Sequence, residues 1–66
     1  MASIDQIIDF ENGELTQDEE IDLFAELIRT GTAWQLQGHY GRIAEAMIRN
    51  QLVDRQGNRL APRVDG

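Results

Sequence analysis

The sequence predicts an all-α protein, a compact three- to four-helix domain with room for a short C-terminal hairpin. Two capping boxes, apolar residues recurring at three- and four-residue spacing, and glycines where such helices should stop all point that way. A chain of 66 residues holds one domain at most; residues 1–60 are expected to form it and residues 61–66 a flexible tail.

Ser3 with Gln6 three residues later opens a first helix, expected over residues 3–12, with Asp5 near the positive end of its dipole. Ile4, Ile7 and Ile8 are its expected apolar stripe, and Gly13 its stop. Thr16 with Glu19 opens a second helix over 16–30, with Asp18, Glu19 and Glu20 crowding its first turn and Gly31 ending it. At 100° per residue Ile21, Phe24, Ala25, Leu27 and Ile28 share one side, and Leu23 widens it beyond half the circumference, which requires neighbours on two sides. Two short neighbours are expected to leave Leu23 and Leu27 partly uncovered, and a homodimer of two-fold symmetry is the expected means of burying them.

Residues 32–36 read as one capped turn of helix ended by Gly38, and a third helix is expected over 39–50 with Tyr40, Ile43, Ala44, Met47 and Ile48 inward. Arg42, Glu45 and Arg49 fall on its outer face at spacings that allow a ladder of surface ion pairs. Leu52-Val53, the Asp54-Arg55-Gln56-Gly57-Asn58 stretch and Arg59-Leu60 fit a short hairpin or a turn.

Twelve acids oppose six arginines, with no lysine and no cysteine, for a net charge of −6. The charge is uneven: residues 1–31 sum to −8 and residues 32–66 to +2. That balance argues against nucleic acid, whose binding depends on phosphate neutralisation, and favours solubility or a basic partner. The stretch Met1 to Ile8 carries acids and no basic region, so a secretory signal is not expected, and no apolar run reaches the ~18 residues of a membrane helix. A cytoplasmic protein is expected, and the absence of cysteine agrees.

The densest stretch is Trp34-Gln35-Leu36-Gln37-Gly38-His39-Tyr40-Gly41-Arg42, which holds the only Trp, His and Tyr. As a helix corner it places Trp34 and Leu36 in the core and uses Gly41 for close approach. As a contact surface it presents Gln37, His39 and Arg42 outward, among residue types that dominate interface energetics. Together with I-I-D-F-E-N-G-E-L from Ile7 and D-L-F-A-E-L-I from Asp22, the W-x-L-Q-G-x-Y-G-R string resembles a family of short, functionally uncharacterised proteins of tailed bacteriophages. The likeness covers Ile7 to Val53, and the stretch after Asp54 lies outside it. The resemblance implies a viral source and a small accessory role in the cytoplasm of an infected bacterium; it carries over no catalytic or binding residues.

Asp18, Asp22 and Glu26 form an i, i+4 carboxylate ladder. Such a stripe is the solvated face of an amphipathic helix, or else a partner-binding surface that imitates a phosphate backbone. No catalytic residue, cofactor site or metal site is expected. Ser3 is the single serine and caps a helix, His39 has no nucleophile to activate, and the acids near Asp18 lack the glycine turn of a calcium loop. The expected function is therefore stoichiometric binding of a host or phage protein, with inhibition of a host enzyme or defence system as one outcome. The alternative is a small helix-turn-helix DNA-binding regulator, in which Arg42, Arg49, Arg55 and Arg59 would face phosphate.

Overall fold

A computed structural model of the chain describes residues 4–62. It contains α1 (Ile4–Glu11), α2 (Gln17–Arg29), a single 3₁₀ turn (Thr32–Trp34) and α3 (Gly38–Arg49). The helices lie within a residue or two of their expected positions, because each is bounded by a local signal. Ser3 lies outside the described residues. At α2 the box is complete: the Thr16 N–H donates to Glu19 Oε1 at 2.8 Å, and the Glu19 N–H donates to Thr16 Oγ1 at 3.2 Å. Gly13 and Gly31 both take positive φ where α1 and α2 stop.

The core centres on α2, whose Ile21, Leu23, Phe24, Ala25, Leu27 and Ile28 are all buried. Phe24 meets Phe10 of α1 edge-on at 5.2 Å and Tyr40 of α3 at 6.0 Å, so one ring ties three helices together. The expected stripe of α1 needs correction: Ile7 and Phe10, three residues apart, pack toward the core while Ile8 is exposed. One step around the helix turns Ile8 100° away from that face.

Leu23 and Leu27 are each only 1% exposed, so the uncovered patch that motivated a dimer does not exist. The segment after α3 is a further neighbour of α2, on the side of Asp18, Asp22, Ala25 and Arg29. The expected hairpin is reduced to a single antiparallel bridge between Val53 and Arg59, but the loop it closes packs onto α2. A Cβ on Gly57 would stand 2.6 Å from Ala25 O, Arg29 N and Arg29 Cβ, which measures how closely this loop approaches the helix. Arg29 Nη2 donates to Gly57 O at 3.1 Å, and Val53 is fully buried. Ala61, expected in the tail, donates its N–H to Leu52 O at 3.1 Å and rests against the core.

The chain leaves α3 through a Schellman turn: the Gln51 N–H donates to Ile48 O at 3.0 Å and the Leu52 N–H to Met47 O at 2.9 Å. Gln51 holds the left-handed position at φ 62, the one non-glycine residue with positive φ among the described residues. A side chain there costs ~1–2 kcal/mol, part of which glycine recovers after its larger unfolded-state entropy is subtracted. Gln51→Gly is expected to raise stability by about 0.5–1 kcal/mol. Chemical denaturation checks this, and an unchanged or lowered midpoint would contradict the strain.

Candidate protein-binding surface

The turn from α2 into α3 orients the side chains of greatest interest. In the 3₁₀ turn the small Ala33 points inward and is buried, while Trp34 turns outward and is 47% exposed. The expectation that Trp34 fills the core is therefore wrong; only Leu36 of that pair packs against it. The physical reason is spatial. The inward position of the 3₁₀ turn is taken by the Ala33 methyl, and the indole lies instead over Gly41, where a Cβ would stand 3.7 Å from Trp34 Cε3.

The three corner residues do not act together. Gln37 is the N-cap of α3 but makes no side-chain cap, and its side chain is exposed. His39 faces α1, with Nε2 3.6 Å from Glu11 Oε1 and its ring 4.3 Å from that of Tyr40. The Tyr40 hydroxyl donates to the same Glu11 oxygen at 2.5 Å. Burial of the ring, then the hydrogen bond and charge of Glu11, push the Tyr40 phenol up to about 12. This cluster fastens α1 to α3. Arg42 stands on the other side, in a groove of about 630 Å³ lined by Trp34, Gly38, Gly41, Arg42, Glu45 and Arg49.

The electrostatics of this groove differ from the expected surface ladder. Glu45 accepts from Arg55 Nη1 at 3.3 Å, across from the loop after α3, rather than pairing with its helical neighbours. Arg42 and Arg49 are exposed and make no hydrogen bond or ion pair among the described residues. Three arginines thus surround one glutamate beside an exposed indole, on a chain whose net charge is −6.

The acidic stripe of α2 has a different use. The Arg59 guanidinium sits between Asp18 and Asp22, bonding the Asp18 carboxylate, Asp18 O at 3.1 Å and Asp22 Oδ1 at 3.2 Å. It also donates to Ala61 O at 2.8 Å and Pro62 O at 3.1 Å, and its side chain is only 11% exposed. The Asp18 hydrogen bond first, and Asp22 after it, push the already high Arg59 pKa further up. Glu26 accepts from Arg29 at 3.4 Å. Asp18 and Asp22 therefore anchor the chain's own C-terminal segment. Asp54 shapes that segment, its Oδ1 accepting from the N–H groups of Gln56 and Asn58 at 2.9 and 2.8 Å. The Asn58 backbone and side chain hold its carboxyl below the usual range. Among the described residues no three His, Asp or Glu side chains are placed to hold a metal ion.

The pattern of a domain of unknown function, DUF7417, matches residues 1–63. The chain belongs to that family. The match takes in Gly57 and Arg59, so the loop that closes over α2 is part of the DUF7417 domain. The search of curated proteins returned no match, and neither did the search of solved structures. No helix among the described residues of this DUF7417 domain is long and apolar enough to cross a membrane.

The sequence points to Arg42 and to the corner, but it does not turn Trp34 outward, and it offers Arg49 only as part of a surface ladder or as a phosphate contact. The spacing of Arg42 and Arg49, seven residues and two helical turns, was readable as one face. The diversion of Glu45 to Arg55 was not, because it depends on where the loop after α3 returns.

Proposed function

We propose that this domain acts stoichiometrically, without catalysis, by binding another protein through the Trp34 face. The observation that carries this is the half-exposed Trp34 lying over Gly41 with the unpaired Arg42 and Arg49 beside it. Trp and Arg are the side chains most enriched at energetically dominant contact positions. The phage resemblance supports an accessory role in the cytoplasm of an infected bacterium, with a host enzyme or defence protein as the target class. The DNA-regulator alternative loses support from the geometry, since Arg55 is engaged by Glu45 and Arg59 by Asp18 and Asp22.

The test is affinity capture from bacterial lysate, compared between the native chain and Trp34→Ala with Arg42→Ala. The expected result is a partner retained in fixed ratio by the native chain and reduced about tenfold or more by the double variant, with helical content intact. Undiminished capture by the double variant would move attention to the acidic side of α2. A salt-sensitive shift of duplex DNA would favour the regulator instead.

A further inference from the structure

The groove beside Trp34 carries information about the chemistry of its occupant. Gly38, Gly41, Arg42, Glu45 and Arg49 recur at three- and four-residue spacing, so they run as one stripe along the whole of α3, about 16 Å long. At its start the two glycines leave room for other side chains of the domain, the Trp34 indole over Gly41 and the Arg42 guanidinium beside Gly38. Arg42 Nη2 lies 3.8 Å from where a Cβ on Gly38 would stand, over the first turn of α3. That turn has no acidic residue of its own and no side-chain cap, and Glu11 of α1 meets it on the opposite side, at His39 and Tyr40. Two turns further, about 10 Å away, Arg49 offers a second unpaired guanidinium. Between them Glu45 is already neutralised by Arg55.

We propose that the occupant is an acidic amphipathic helix of a partner protein, laid along α3. Resting on the binding role proposed above, the assignment places carboxylates seven residues apart on the partner against Arg42 and Arg49, and an apolar side chain of the same face on the Trp34 indole. The match is one of charge and length. A stripe whose one glutamate is engaged by Arg55 while its two arginines are not selects a negative segment, and two guanidinium groups two helical turns apart match carboxylates on a helical carrier. The exposed indole supplies the apolar contact that charge alone does not. An acidic partner on an acidic protein is held only where a local field of opposite sign exists, and this groove provides one.

Trp34 is the only tryptophan in the chain, so its emission reports this groove directly. The probe is a synthetic, tryptophan-free helical peptide with Glu at positions seven apart and Leu on the same face, titrated into the native protein. Its counterpart has Lys in place of each Glu. The expected result is a saturable blue shift of Trp34 emission with the Glu peptide, weakened by salt and absent with the Lys peptide. Arg42→Glu with Arg49→Glu should weaken the Glu peptide about tenfold or more and admit the Lys peptide. Both arginines are exposed, and an unchanged circular dichroism melt shows that the variant is folded. No saturable shift with the Glu peptide, or equal binding of both peptides, would overturn the proposal. A preference for a single-stranded oligonucleotide would overturn it in favour of nucleic acid. A blue shift on concentrating the protein alone, abolished by the same double variant, would overturn it in favour of a second copy of this chain. If lysate capture depends on Trp34 while the Glu peptide fails to bind, the partner chemistry is refuted and the protein-binding function stands.

Discussion

Gly57→Ala is expected to destabilise the domain by roughly 2–5 kcal/mol, enough to leave it largely unfolded at physiological temperature. Two costs combine. Gly57 has φ 88, where a side chain is strained whatever the surroundings. The added methyl would also stand 2.6 Å from two backbone atoms of α2, Ala25 O and Arg29 N, neither of which can rotate away. The loop must then lift, weakening the Arg29 to Gly57 hydrogen bond and uncovering part of α2. Gly13→Ala is the matched control, because Gly13 has φ 70 but nothing within 4 Å of the new Cβ. It should cost ~1–2 kcal/mol, the backbone strain alone. Thermal melting followed by circular dichroism separates the two. Equal losses would mean that the loop accommodates the methyl, and that its close approach to α2 contributes little.

Phe24→Ala is expected to cost about 3–5 kcal/mol, a large share of the stability of so small a domain. The ring is fully buried, and it bridges Phe10 and Tyr40, so its loss opens a cavity where three helices meet. Phe24→Leu retains much of the volume and should cost markedly less. If the alanine variant melts within a degree or two of the native chain, α2 does not carry the core. The two sites lie on different sides of α2, so their effects report two separate contacts of the same helix.

Local signals accounted for much of this fold. The Thr16 and Glu19 box, the buried set from Ile21 to Ile28 and the stops at Gly13 and Gly31 are each specified by residues within a few positions of one another. The same holds for the inward placement of Tyr40, Ala44 and Met47 on α3. Ile8 shows the limit of a short helix. In eight residues two apolar faces fit the pattern equally, and only the position of α2 selects Ile7 and Phe10.

The candidate surface was less legible, since its polarity is set by what each residue meets at long range. Trp34 looked like a core residue because large aromatic side chains usually are, and its outward turn follows from Ala33 occupying the inward position. Arg59 looked like one of several free arginines, yet it bridges 41 residues to Asp18 and turns an apparent acidic surface into an anchor. Glu45 ignores two arginines of its own helix for one ten residues later in the loop.

The amino-acid sequence by itself determined the limits of the three helices and the inner faces of α2 and α3, since capping, periodicity and backbone preference act within one or two turns. Tertiary structure alone decided which side of α2 the final loop covers, which carboxylates are neutralised and which arginines remain available. Those outcomes depend on segments tens of residues apart being brought together. Such contacts form only when burial of the shared core offsets the entropy of closing the chain between them.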